Sequence, residues 1–156
     1  GNNTEEGWKA NFEVDVLGTV RGIETVTPAL SDSKGSVVII STTTAIENGP
    51  GAGAYGAMKA ALMNLSSAKA QELAPQGVNC NVVSPGPIYI EGGAWNFIKD
   101  NMEDFYKATL SAIPTGRMGA AQDVANAVVF LGSPAASYIT GTNVVVDGGF
   151  TKGVHF

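Results

Sequence analysis

The stretch "GSVVIIS", residues 35–41, constrains this chain more than any other. It is an unbroken β-branched run with no polar alternation. A strand with one wet face alternates apolar and polar side chains, so a continuously apolar run belongs to a strand covered on both faces. "GVNCNVVSPG" (77–86) repeats the pattern and closes on Pro85-Gly86, and "NVVVDGG" (143–149) gives a third, shorter strand. Helical segments lie between them. Residues from Ala54 to about Leu73 are rich in Ala, Leu and Met, which favour helix. "AQDVANAVVFLGS" (121–133) is another helix, and residues 92–112 look helical but irregular. At the start, Asn3 is placed to cap a helix with Glu6 three residues on. Phe12, Val16, Val20, Ile23 and Val26 then carry a roughly helical period up to Pro28.

Helices alternating with buried strands give an α/β fold with a parallel sheet. Three strands are half of the six or so in a doubly wound dinucleotide-binding fold. The expectation is therefore a Rossmann-like doubly wound sheet, second half only, forming one domain over residues 1–156. The chain starts abruptly near a helix cap without an initiating Met, so it reads as a piece of a longer protein.

Composition narrows the partners. A net charge of −5 argues against nucleic acid, whose phosphates need a basic face. One cysteine, Cys80, cannot form an intrachain disulfide, which points to a reducing, cytoplasmic setting. With one histidine, His155, a Cys/His metal cage is not expected. No apolar run approaches the roughly 20 residues of a membrane span, and no leader pattern is present.

"GAGAYGAMK" (51–59) supports two incompatible readings. Gly51, Gly53 and Gly56 spell the dinucleotide fingerprint G-x-G-x-x-G. That fingerprint needs its first glycine at the end of a strand, with the pyrophosphate on the following helix N-terminus. Here the strand ends near Ser41, ten residues earlier, and the next strand ends in Ser84-Pro85-Gly86 without a carboxylate. The glycines are better read as loop punctuation. Tyr55 and Lys59 spell Y-x-x-x-K and share one helix face. An ammonium close to a phenol favours the phenolate, which suits proton exchange with a carbonyl or an alcohol. Alone, the pair fits a chance neighbourhood on a solvated face equally well.

The order of "ST", a glycine loop, "YGAMKAA", "NVVSPGPI", "PTGRMG" and "YITGTNVVVDGG" resembles the classical short-chain dehydrogenase/reductase family across essentially all 156 residues. The resemblance implies an NAD(P)-dependent oxidoreductase interconverting a carbonyl and a secondary alcohol, 3-oxoacyl-carrier-protein-reductase-like or a related dehydrogenase. It implies Tyr55 as acid/base, and Lys59 as its electrostatic partner that also binds the nicotinamide ribose. Pro85, Gly86 and Ile88 match the turn against the nicotinamide. Three positions depart from the family pattern. Thr42, thirteen before Tyr55, stands where a substrate-holding Ser is usual. Asp15 stands at the Asn of the proton relay, and Ile90 replaces a Thr. The glycine-rich phosphate turn and the selector of NAD versus NADP are not encoded in these residues, so on their own they are not expected to bind cofactor tightly. The resemblance further suggests a homodimer or homotetramer, with an interface involving the helix from residue 4 and the Ala57, Ala60, Ala61, Ala68 face. The alternative for that face is packing inside the subunit.

Residues 89–113 correspond to the family's substrate lid. Its aromatics, Trp95, Phe97, Phe105 and Tyr106, either line an apolar pocket or pack the lid onto the core. Glu91, Glu103 and Asp104 read as solvated charge, Cys80 as a buried thiol, Arg117 as a loop anchor and His155 as part of a mobile tail. Because alternate strand residues face opposite sides, Thr42 rather than Ser41 is expected to face substrate. The departures leave one rival open: a non-catalytic oligomeric or regulatory protein that kept the fold.

Overall fold

The computed structural model describes residues 3–47 and 53–153. His155 and Gly51 lie outside the described residues. The first helix, α1 (Glu5–Asn11), runs through a π-helical stretch (Phe12–Leu17) into α2 (Gly18–Ser33). β1 (Ser36–Ile40) follows, then α3 (Ala54–Leu73) and β2 (Asn79–Pro85). A short β3 (Ile88–Tyr89) leads into α4 (Ala94–Asn101) and α5 (Glu103–Ala112). β4 (Gly119–Ala120), α6 (Ala121–Leu131) and β5 (Asn143–Val146) complete the order.

β1, β2 and β5 form a parallel sheet in that order, with Ser36 beside Asn79 and Val82 beside Asn143. These are the three strands that the β-branched runs predict. A second ladder of two residues pairs β3 with β4, inside a segment the sequence leaves as loop. Both faces of the main sheet are covered, as continuous apolar runs require. Ile39, Cys80 and Val82 pack against Ile23 of α2 and Leu62 and Ala70 of α3. Val83 faces the other way, towards Leu131 and a rim of Val124 and Val128 on α6. Along α3 the buried positions are Ala54, Leu62, Ser66, Ala70 and Leu73. Of the small-residue face, Ala57, Ala61 and Ala68 are exposed and Ala60 is half-buried.

Two helix boundaries differ from the sequence expectation. The helix begins at Glu5, so the cap falls on Thr4, whose hydroxyl accepts from the Gly7 N–H at 3.2 Å. Asn3 instead lies against Gly53, where an added Cβ would meet its Oδ1 at 2.6 Å. α2 also continues past Pro28 to Ser33. Proline removes one helical hydrogen bond, but Glu24, four residues earlier, is exposed and water can satisfy its carbonyl.

Candidate active site

The carboxyl ends of β1 and β2 are where ligands bind in open α/β sheets. A cavity of about 600 Å³ opens there. Ser41–Thr44, after β1, and Tyr55, at the start of α3, form one side. Pro85, Gly86, Pro87 and Ile88, after β2, form another. Two glycines make these walls possible through close approach. A Cβ on Gly56 would come within 2.9 Å of the Thr44 carbonyl oxygen, so glycine lets the first turn of α3 press on the Thr42–Thr44 segment. A Cβ on Gly86 would lie 2.5 Å from the Asp147 Cβ, at the end of β5. Neither glycine behaves as a phosphate cradle.

The start of α3 is pinned to the end of β1 by reciprocal bonds. The Ser41 hydroxyl donates to the Lys59 carbonyl at 3.1 Å, and the Lys59 ammonium donates to the Ile40 carbonyl at 3.2 Å. Lys59 Nζ also lies 3.0 Å from Asp15 Oδ1, with both side chains largely buried. That pair falls between the roughly 0–1 kcal/mol of a surface ion pair and the roughly 3–5 kcal/mol lost when a buried pair is broken. The π-helical stretch carries Asp15; such widened turns are frequent at functional sites. Lys59 Nζ sits 5.7 Å from the Tyr55 ring centroid. Tyr55 itself is 45% exposed on the cavity side.

Ser41 and Thr42 are used differently. Ser41 is buried and its hydrogen is spent on Lys59. The Thr42 oxygen accepts from the Thr44 N–H and from the Thr44 hydroxyl, each at 3.3 Å. A hydroxyl carries one donor and two acceptor sites, so Thr42 keeps its hydrogen for a ligand. The structure thus brings together Thr42, Tyr55, Pro85, Gly86 and Ile88 around one cavity, with Lys59 and Asp15 behind Tyr55.

Of the lid aromatics, Trp95 alone lines this cavity, joined by Ile90. Phe105 stacks on Trp95 at 5.9 Å and Tyr106 meets its edge at 6.5 Å, so these two rings pack within the lid rather than onto the core. Phe97 is 63% exposed and does neither. Glu91, Glu103 and Asp104 are exposed, and Glu103 pairs with Lys107 at 2.6 Å. Cys80 is fully buried beside the Ser66 hydroxyl, and burial pushes its thiol pKa up. Arg117 holds Asp123 through both nitrogens at 2.7 and 3.1 Å, an anchor that keeps the Asp123 carboxyl at about 2.

Sequence reasoning missed two walls. Val124 of α6 and Phe150 after β5 also face the cavity, and no local motif marks them. Phe150 is carried by a turn built on Asp147. The Asp147 carboxylate accepts from the Gly149 N–H (2.8 Å), the Thr151 N–H (2.8 Å) and the Thr151 hydroxyl (2.7 Å). Burial pushes that carboxyl up, but the Thr151, Gly149 and Phe150 donors together hold its pKa below the ordinary value.

The sequence and the fold match known proteins. The family profile described as Enoyl-(Acyl carrier protein) reductase matches residues 1–151. This chain belongs to the short-chain dehydrogenase/reductase family. Within the family it is 39% identical over 154 residues to an isoepoxydon dehydrogenase of Aspergillus clavatus, covering 97% of this chain and 59% of that protein. It is 34% identical to a 3-oxoacyl-[acyl-carrier-protein] reductase of Escherichia coli K12, covering 93% and 58%. A short-chain oxidoreductase from Pseudomonas aeruginosa PAO1, solved with NADPH bound and described as containing an atypical catalytic center, superimposes with a TM-score of 0.87 at 26% identity, covering 97% of this chain and 60% of that one. The chain therefore spans a little under three fifths of the length of the relatives it matches. Among the described residues, no helix is long and apolar enough to cross a membrane.

Proposed function

We propose that the protein is an NAD(P)-dependent oxidoreductase that interconverts a carbonyl and a secondary alcohol. The observation that carries this reading is the convergence of Tyr55 and the free Thr42 hydrogen on one cavity, with the Lys59 ammonium 5.7 Å from the phenol ring. The residues fit the nicotinamide-ribose end of a cofactor. The Pro85–Ile88 wall is apolar, and an ammonium has three donors, of which Lys59 spends two on Asp15 and Ile40. The third remains for a ribose hydroxyl. NADH or NADPH would supply the hydride for the carbonyl carbon in reduction, and the oxidised cofactor would accept it from the alcohol in the reverse direction. Tyr55 gives the proton to the carbonyl oxygen in reduction and takes it back in oxidation. Thr42 donates to that oxygen and stabilises charge developing there. Asp15 holds Lys59 in place.

The family relatives named as dehydrogenases and reductases, and the NADPH-bound neighbour, support this reading for the whole protein. We read its partners as a small carbonyl or alcohol, its setting as cytoplasmic, and its assembly as a homodimer or homotetramer. Exposed apolar side chains on two faces, Val14 and Phe12 on one and Val129 and Phe130 on the other, support self-association. The test is spectrophotometric: the full-length protein with NADH or NADPH is offered a panel of ketones. Cofactor oxidation that Tyr55→Phe abolishes is expected. Cofactor oxidation undiminished in Tyr55→Phe would overturn the assignment.

A further inference from the structure

The same cavity carries information about what enters it. Beyond the hydroxyls of Thr42, Thr44 and Tyr55 at one end, its walls are Ile88, Ile90, Trp95, Val124 and Phe150. Among the described residues, none that lines it is charged and none bears a carboxamide. The nearby cations are occupied elsewhere. Lys59 is paired with Asp15. Lys99 lies over the rings of Tyr89 and Tyr106, at 5.4 and 6.0 Å. Trp95 is the largest of these walls, and its backing by Phe105 and Tyr106 fixes it against the cavity rather than leaving it free to swing out.

Resting on the oxidoreductase reading above, we propose that Trp95 is a specificity-determining residue and that the substrate is a neutral, compact, apolar ketone or its alcohol. A polyol would bring several hydroxyls to walls that offer them no partner, and buried unpaired polar groups are unfavourable. An apolar pocket rejects even one added hydroxyl by about 10²-fold. An anion would meet no unpaired cation on the lining. The nicotinamide would take the Pro85–Ile88 part of the roughly 600 Å³, so what remains beside Trp95 suits a compact molecule.

The experiment uses the full-length protein, saturated with whichever nicotinamide cofactor it accepts. The probes are 1-decalone, L-sorbose, acetoacetate and 2-butanone. We expect kcat/KM for 1-decalone to exceed that for sorbose and for acetoacetate by at least about 100-fold. Trp95→Ala should lower kcat/KM for 1-decalone about 10–100-fold, mainly through KM, and lower that for 2-butanone far less. Trp95→Phe should restore most of the loss. A readout independent of turnover is the share of the tryptophan fluorescence that Trp95→Phe removes. That share should change saturably with 1-decalone and not with sorbose. No turnover of any ketone together with that fluorescence response would remove the oxidoreductase reading and keep the apolar site. Sorbose or acetoacetate matching 1-decalone, a Trp95→Ala protein with an unchanged 1-decalone to 2-butanone ratio, or a Trp95 signal blind to 1-decalone would overturn the proposal.

Discussion

The two sides of the cavity are built in opposite ways. On the α3 side, Ser41 and Lys59 exchange bonds between β1 and α3, Asp15 reaches in from the π-helical stretch, and the segment behind them is the buried core. On the lid side, neither α4 nor its neighbour β3 contains a buried residue, and α5 contains only Thr109. Groups that must be held within fractions of an ångström belong on rigid elements. A wall that must adapt to a substrate's shape can ride on a looser one. The contrast separates chemistry from selection: substitutions on the α3 side should cost turnover, and those on the lid should change which molecule is turned over.

The largest effect should come from Tyr55→Phe. General acid/base groups contribute about 10²–10⁴-fold, so turnover of the full-length protein should fall by that range while cofactor affinity stays close to normal. Single-turnover rates and a cofactor titration check both halves. A mutant with most of its turnover would make Tyr55 structural and erase the contrast. Next is Thr42→Val, which keeps the shape and deletes the Thr42 donor to the carbonyl. One such donor is worth about 10²–10³-fold, so kcat should drop heavily, with a modest loss of thermal stability because the bonds from the Thr44 N–H and hydroxyl go as well. Thr42→Ser should be nearly neutral. Ser41→Ala should do the reverse, losing about 1 kcal/mol of stability from its bond to Lys59 with little change in rate. If Ser41→Ala is the variant that stops turnover, the two hydroxyls have been assigned the wrong way round.

Asp15→Asn probes the bracing of the same side. The amide keeps the size and removes the charge facing Lys59. Lys59 is also faced by the Tyr55 ring and the Ile40 carbonyl. We expect the acidic limb of the pH–rate profile to change while circular dichroism stays the same. An unchanged profile would take Asp15 out of the proton-handling unit and leave it as packing.

The rigid side was far more legible in the sequence than the loose one. β-branched runs mark strands covered on both faces, and Y-x-x-x-K places two side chains on one helical turn, because both signals are local. Strand alternation favoured Thr42 over Ser41, but β1 ends at Ile40 and both residues line the cavity; they differ because Ser41 spends its hydrogen on Lys59 while Thr42 accepts from Thr44, which sequence reasoning passed over. The helix boundaries were less legible: the choice between Asn3 and Thr4 depends on one residue of phase, and exposure lets Pro28 sit inside α2. The π-helical stretch left no sequence signal, since its apolar spacing imitates an ordinary helix. The cavity's far wall was illegible for a different reason. Val124 and Phe150 meet Trp95 only because α6, β5 and α4 converge in space, and no spacing along the chain encodes that.

The smallest effect tests how Phe150 is held on the loose side. The Asp147 carboxylate closes the turn that carries Phe150, and its folded pKa lies below the ordinary 3.8 because the Thr151, Gly149 and Phe150 donors outweigh burial. A carboxyl with a depressed folded pKa contributes stability that is fully present above its unfolded pKa and is lost as pH falls through the folded value. Asp147→Asn should therefore lower the melting temperature modestly near neutral pH. The gap from wild type should close as the pH drops below about 4 and vanish at the acid end. Because the turn carries Phe150, KM for an apolar ketone should rise slightly and kcat should hold. A melting-temperature gap that is independent of pH would mean that the turn is held by shape rather than by the carboxylate's charge. A fall in kcat larger than the rise in KM would mean that this side of the cavity shares in the chemistry, and the division between a chemical side and a selecting side would fail at its weakest point.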